Sequence, residues 1–404
     1  MTKLNFIHAA DLHLDSPFVG MSHVPSQIFK RLKESTFQSA KKIFALAIEK
    51  QVDFVLLSGD VFDEANRSLK AQFFLRNQFL KLQQHGVKVF LSYGNHDHLG
   101  GEWTKVEWPE NVYVFPGGMP SERSFYKDGV HAASIYGFSY EQRAVTENMA
   151  LHYEKTTDAL FHIAMLHGTL SGIEGHDDYS PFQVHQLLQK DVDYWALGHI
   201  HKRQIIHHDP LIVYPGNTQS RHVKETGEKG CYLVQLKKDE SEIAFIPCSD
   251  VIFDTLYIDV SDTKHITQLV SLIDAKIDEL KQNNLAYCVR VNLNGDAPAY
   301  FEEASLDVME ELLTVFREQE EEEECFVWVT ALENLTNTQV ILPDDSFLKE
   351  LTKEIEQFNE YDQLLEPVRR HPIFRKAGPI LTKEDEKDIQ EEAQRLLNEQ
   401  LRQL

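Results

Sequence analysis

Five short apolar runs in this 404-residue chain each stop at side chains that bind metals. Residues 6–10 run into Asp11-Leu12-His13, and residues 54–57 into Gly59-Asp60 with Asp63 close behind. Residues 89–91 lead to Gly94-Asn95-His96-Asp97, residues 163–166 to His167-Gly168, and residues 194–197 to Gly198-His199-Ile200-His201. A buried strand explains an apolar run, but not why every run ends in Asp, His or Asn. In α/β sheets ligands bind beyond the carboxyl ends of the strands, so donors gathered there predict a metal site. Mixed imidazole, carboxylate and amide donors favour borderline first-row metals over calcium or an all-sulfur zinc site. Two divalent ions about 3.5–4 Å apart can clamp a phosphate and activate a water. So short a spacing needs a bridging carboxylate, and Asp60 is the candidate. Asp11 and His13 are two apart and can turn onto one ion; His199 and His201 have the same spacing and can serve one ion each. Glycines before Asp60, Asn95 and His199 predict sharp backbone turns beneath the metals.

These residues need strands to carry them and helices to cover the strands. Helical spacing of apolar residues predicts helices over 26–50 and 68–84, alternating with the first strands. Later strands are expected at 112–115, 133–138, 194–197, 212–214 and 230–236. The pattern predicts an α/β fold: a two-sheet sandwich flanked by helices, spanning residues 1–250. From 251 to 340 the order becomes strand 253–260, helix 263–282, strand 286–293, helix 305–324 and strand 326–332, a small α/β cap-like domain. The acidic run 320–324 reads as a solvated helix end. Residues 341–404 hold two helical stretches, 346–365 and 383–404, joined by the basic segment 368–376. Phe347, Leu348, Leu351, Ile355 and Phe358 form an apolar stripe for the protein's own core or for a docked partner.

Most of the 19 histidines lie outside the motifs. His8, His23, His85, His131, His152, His162, His207 and His208 are expected to be core or solvated side chains. His176 belongs either to a loop over the site or to the surface, and His98 to the surface or to the layer behind the ligands.

Composition narrows the setting. A hydrophobic content of 42% is that of a globular protein, and no run of about 18 apolar residues predicts a membrane span. The N-terminus enters the first strand directly, with no signal peptide expected. Four scattered cysteines without Cys-x-x-Cys spacing argue against a disulfide framework and for the reducing cytoplasm. The net charge is −24, unevenly spread: residues 1–250 carry 25 basic and 30 acidic side chains, residues 251–404 carry 15 and 34. The acidity therefore belongs to the C-terminal part. The catalytic part is close to neutral, without a basic stripe, so affinity for nucleic acid must come from metals, local patches or a partner.

The set Asp-x-His, Gly-Asp-x-x-Asp, Gly-Asn-His-Asp, His-Gly and Gly-His-x-His resembles the calcineurin-like metallophosphoesterase superfamily. His8-Ala9-Ala10-Asp11-Leu12-His13-Leu14-Asp15 and Tyr214-Pro215-Gly216-Asn217-Thr218-Gln219 resemble the SbcD-type branch of DNA repair exonucleases, and within it the YhaO-type subgroup. The motifs cover roughly the first 220 residues; the remainder is similar in layout only. The resemblance implies that Asp11, His13, Asp60 and His201 hold one metal and Asp60, Asn95, His167 and His199 the other. It implies that His96 is a non-ligand acting on the leaving oxygen, with Asp97 orienting its ring and Asp63 supporting the ligands from behind. It implies two divalent ions, manganese favoured, a cap that helps to select DNA, and C-terminal docking to a coiled-coil SbcC/YhaN-like ATPase; a homodimer is left open. The expected function is a two-metal phosphodiesterase, a DNA repair exonuclease working with that ATPase. The alternative is a small-molecule phosphoesterase acting on a nucleotide or phosphomonoester.

Overall fold

The computed structural model describes residues 3–336, apart from 22–23, 65–66, 173–178, 239–240, 299, 304–305, 319 and 322, together with residue 353. His23, His176 and the expected C-terminal elements (346–365, 368–376, 383–404) lie outside the described residues.

The chain begins with β1 (Leu4–Ala9), α1 (Ser26–Glu49), β2 (Phe54–Ser58), α2 (Leu69–Gln84), β3 (Lys88–Ser92) and β4 (Val112–Val114). There follow β5 (Ser121–Lys127), β6 (Val130–Gly137), β7 (Phe161–His167), α3 (Val184–Leu188), β8 (Tyr194–Gly198), β9 (Gln204–His208) and β10 (Leu211–Tyr214). β11 (Gly230–Leu236) and β12 (Glu242–Pro247) close this region. The first sheet has the order β12-β11-β1-β2-β3-β4, and the second β5-β6-β7-β8-β10-β9. β1 to β4 are mutually parallel, as are β6, β7, β8 and β10, with antiparallel strands at the margins. Parallel pairing brings the carboxyl ends of the motif-bearing strands in each sheet to one edge.

Alternation along the strands sorts side chains between two cores. Ile7, Ala9, Val55, Leu57, Val89 and Leu91 face helices, packing with Ala40, Ile43, Phe44, Leu75 and Phe79 of α1 and α2. Leu4, Phe6, Phe54, Leu56 and Phe90 point the other way, against Ile135, Ile163, Tyr194 and Val213 of the second sheet. Phe6 stacks on Phe54 at 5.0 Å and meets Tyr194 edge-on at 5.1 Å, which locks the two sheets face to face. α2 starts where Ser68 accepts a hydrogen bond from the Ala71 amide, an N-cap that relieves an unpaired donor. The far face of the second sheet buries Tyr140, Tyr153, Trp195 and Tyr214. Their hydroxyls find backbone acceptors: Tyr140 donates to the His167 carbonyl at 2.7 Å, Tyr214 to that of Gly168 at 2.6 Å, and Tyr153 to that of Met165.

A third sheet, β13 (Val251–Asp259), β14 (Ala286–Asn294) and β15 (Val327–Asn334), is fully parallel. α4 (Ile266–Lys281), α5 (Tyr300–Glu303) and α6 (Leu306–Glu318) supply its crossovers. Leu269, Ile273, Ile277, Leu312 and Phe316 cover one face. The other face buries Phe253, Cys288 and Trp328 against Phe18, Met21, Ile28 and Leu32.

Two expectations need correction. β5, β9 and β12 were not legible as strands, because each is a sheet margin, partly exposed along its length and without a continuous buried run. The run 320–324 is solvated at Glu321, Glu323 and Glu324 but lies past the end of α6 at Glu318, and Glu320 is buried, its carboxylate 2.5 Å from Lys281 Nζ and accepting the Val327 amide at 2.8 Å. A buried carboxylate needs such partners. No helix among the described residues is long and apolar enough to cross a membrane.

Candidate metal centre

Each candidate donor sits just past the carboxyl end of a parallel strand. Asp11 and His13 follow β1, Asp60 and Asp63 follow β2, and Asn95 to Asp97 follow β3; His167 ends β7, and His199 and His201 follow β8. The loops are tied to one another. The amides of Asp11 and His13 donate to the carbonyls of Gly59 and Asp60 at 3.1 and 3.0 Å. The His199 amide donates to the Asp11 carboxylate at 3.0–3.1 Å, and His167 Nδ1 lies 3.0 Å from the Ser58 carbonyl. These last two bonds join the two sheets at the site.

The side chains converge in overlapping groups. Asp11, His13 and His201 form one, Asp60, His167 and His199 a second, and His13, Asp60 and His96 a third, donor atoms within 4.8 Å of one another in each. Nε2 of His13 and Nε2 of His201 are 3.1 Å apart. Asp60 lies between: its Oδ2 is 3.8 Å from His13 Nε2 and 3.4 Å from His167 Nε2, and its Oδ1 accepts the His96 amide at 2.9 Å. Asn95 Oδ1 completes the second group, 2.9 Å from His167 Nε2.

The backbone at this edge is held in unusual conformations. Asp11, His13, Asp60 and His199 have φ of 53°, 43°, 47° and 99°, in or near the left-handed region that costs side-chain-bearing residues of the order of 1–3 kcal/mol each. Neighbouring bonds keep them there. Of the three glycines before Asp60, Asn95 and His199, only Gly59 has a positive φ, +86°. The chain also bends after Gly94 and Gly198, at 95–97 and at 199, but there glycine answers crowding rather than a positive φ. A Cβ on Gly94 would lie 2.3 Å from Asp60 Oδ1, and one on Gly198 1.9 Å from the Ser58 carbonyl.

Burial dominates the electrostatics. It pushes the Asp11 carboxyl up to about 7. Burial also opposes ionisation of Asp60, but the His167, His96 and His13 rings outweigh it and hold that carboxyl well below its usual range. Burial works against His167 too, yet Asp60, Asp11 and the Ser58 carbonyl raise its ring to about 9. His13 is driven well down by burial, then by the nearby Arg221 and His96. His13 and His201 face each other through Nε2 at 3.1 Å, a separation that one shared proton bridges and that an ion can take over by accepting a lone pair from each ring. His13 Nδ1, on the far side of the ring, faces the Asp63 carboxylate. Facing imidazoles, an intervening carboxylate and an amide oxygen fit a pair of borderline divalent ions.

The expected His96–Asp97 pair is not formed. Asp97 is fully buried and its carboxylate accepts three backbone amides, Gly94 at 2.7 Å, Val61 at 2.8 Å and Phe62 at 3.2 Å. His96 Nδ1 instead lies 2.9 Å from the Asp63 carbonyl. The amides of two tight loops need an acceptor, and Asp97 is the carboxylate within reach. Asp63 stands behind His13, its Oδ1 3.3 Å from Nδ1. His8 is a core histidine, its ring between the Tyr194 hydroxyl and the Leu197 carbonyl and lowered by burial to about 3.

The sequence reading missed the supports. Glu225 Oε1 is 2.5 Å from His201 Nδ1, and Arg221 Nη2 is 2.5 Å from Asp63 Oδ1. Arg67, stacked between Tyr93 and Trp103 at 3.6 and 3.8 Å, donates to the Asp97 carbonyl at 2.5 Å. The only signal was position: Arg221 and Glu225 lie just past the 214–219 motif.

A two-sheet α/β sandwich with paired donor groups at one strand edge defines a dinuclear phosphoesterase class. Residues 4–203 match the calcineurin-like phosphoesterase family. The chain is 48% identical over 404 residues to the uncharacterized metallophosphoesterase YhaO of Bacillus subtilis, covering 100% of this chain and 99% of that protein. It is 26% identical over 295 residues to the DNA double-strand break repair protein Mre11 of Methanocaldococcus jannaschii, 67% of this chain and 73% of that one. With the Mre11 protein of Methanosarcina acetivorans the figures are 21% over 291 residues, 70% and 45%. The chain belongs to the calcineurin-like metallophosphoesterase family and is a metal-dependent phosphoester hydrolase.

Proposed function

We propose that this chain is a two-metal phosphodiesterase acting on DNA as a repair exonuclease, in the cytoplasm, with a coiled-coil ATPase as partner. The observation that carries the phosphodiesterase reading is Asp60, whose one carboxylate oxygen faces both donor groups. Asp11, His13, Asp60 and His201 would hold one ion, and Asp60, Asn95, His167 and His199 the other, manganese being the favoured species. A bridged pair of such ions polarises a phosphate and lowers the pKa of water. The chain's own work is positional. The Asp63 carbonyl accepts from His96 Nδ1 and fixes the ring, so that in its doubly protonated form His96 Nε2 would donate a proton to the leaving oxygen. Asp97 and Arg67 hold the loop that presents it.

DNA as substrate is supported by the Mre11 likeness, which extends beyond the catalytic motifs. The near-neutral catalytic part favours a small nucleotide or phosphomonoester as the second reading. An ATPase docked on residues 341–404 would supply the DNA affinity that the catalytic part lacks, and the 251–340 region would act as a cap in substrate selection. Purified protein loaded with manganese is tested on labelled duplex DNA, on bis-nitrophenyl phosphate and on nitrophenyl phosphate. Progressive shortening of the duplex is expected, with the diester cleaved faster than the monoester. Preference for the monoester with intact DNA would favour the second reading.

A further inference from the structure

His201 lies partly open at the rim of the site, and its ring can present either nitrogen to a ligand. Which one it presents depends on what the other one meets. Nδ1 meets Glu225 Oε1 at 2.5 Å, and the side chain of Glu225 is almost fully buried. The remaining oxygen of that carboxylate is committed as well. Glu225 Oε2 accepts from Asn217 Nδ2 at 2.9 Å and from the Arg221 amide at 2.6 Å. The carboxylate therefore cannot rotate without losing three partners.

The loop that carries Glu225 is itself clamped. Ser220 Oγ donates to the Glu225 carbonyl at 2.6 Å, and Ser39 Oγ of α1 donates to the Thr218 carbonyl at 2.5 Å. Gln219 is buried; its amide nitrogen donates to the Val251 carbonyl at 2.6 Å and its oxygen accepts the Asp250 amide at 2.8 Å. The Gly227 amide donates to the Phe253 carbonyl at 2.8 Å, on β13. Arg221 reaches back to Asp63 and, through Nε, to Ser16 Oγ at 3.2 Å. One short segment thus touches α1, the loops after β1 and β2, and the first strand of the small sheet.

The structure assigns Glu225 as the positioning residue for His201: its carboxylate accepts the Nδ1 proton and so turns the Nε2 lone pair toward His13 Nε2. Carboxylates behind ligating imidazoles act in this way in metal sites generally, and their loss costs about 10–100-fold in affinity or activity. The inference rests on the two-metal reading, but the ligand it concerns is one of the two sites only. His167, a donor of the other, is held by the Ser58 carbonyl instead.

The test is a calorimetric titration of the metal-stripped full chain with manganese. Wild type should bind two ions. Glu225→Ala should weaken one of them by about 10–100-fold and leave the other unchanged. Glu225→Gln should weaken the same ion, because its NH2 group must face the donors Asn217 and Arg221. Unchanged affinities in folded variants would overturn the assignment, and a wild type that binds no ion would overturn the two-metal reading instead. A second measurement does not depend on the variants folding. In the zinc-loaded wild type, nitrogen-detected NMR of the His201 ring should show a protonated Nδ1 and a metal-bound Nε2. Coordination through Nδ1 would overturn the assignment.

Discussion

Asp11, His13, Asp60 and His199 all carry positive φ at the shared edge of the large sheets, whereas β13 to β15 contain no such residue. In the small-sheet region from 251 to 334, the described residues with positive φ are Asn284 and Gly295, both in connections. The edge concentrates buried polar atoms, crowded glycines and opposed charges. The small sheet is an apolar interior of Leu269, Ile273, Val289, Val291 and Val329 under regular helices. The first region trades conformational ease for donors aimed at one point; the second is stable packing with little chemistry inside. Substitutions in the two should therefore fail differently.

At the edge, His96→Ala should lower turnover by roughly 10²–10⁴-fold, the usual contribution of a general acid, with both metals retained and little change in melting. Its ring is within reach of His13 and Asp60, so loss of a metal in step with activity would show that His96 is a ligand. In the small sheet, Ile273→Ala should cost about 2–5 kcal/mol of stability by opening a cavity, read from denaturant unfolding. The folded fraction should keep its metal content and its turnover on small diesters. A selective loss of metal without a stability change would break the comparison.

The contrast in legibility follows the same line. The donors could be read because each apolar run ends at them, and the small-sheet helices because their apolar residues recur at helical spacing. β5, β9 and β12 could not, because marginal strands need no buried run. Asp97 misled because an Asp next to a His reads as a dyad, while the amides of Val61, Phe62 and Gly94 are settled only by the fold. Glu225 and Arg221 come from a loop with no periodicity, and the site residues they support, His201 and Asp63, are more than twenty residues away in the sequence. Glu320 sat in an acidic run whose composition pointed to solvent, and only the third sheet places Lys281 beside it.

A smaller effect is expected from pH. Without metal, the His167 ring is raised to about 9 and the Asp11 carboxyl to about 7, so the first holds a proton below about pH 9 and the second below about pH 7 that an ion must displace. Metal affinity should then fall as pH drops from 9 toward 6, by about tenfold per pH unit for each proton displaced. Calorimetry in buffers of different ionisation enthalpy counts those protons; a pH-independent affinity would contradict the electrostatics of the edge. The smallest effect on the metal centre should follow truncation after Pro343. The shortened protein should keep its metals and its small-diester turnover, and lose ATP-stimulated DNA cleavage in the presence of the ATPase. Loss of the metal centre would make residues beyond 343 part of the structural core.

The central claim is that one carboxylate, Asp60, serves both donor groups. Manganese content of the purified chain, measured by elemental analysis and calorimetry beside Asp60→Ala, tests it most directly. Two ions per wild-type chain, with both weakened together in the variant and hydrolysis abolished, is the predicted result. One ion lost and the other bound with wild-type affinity would contradict it.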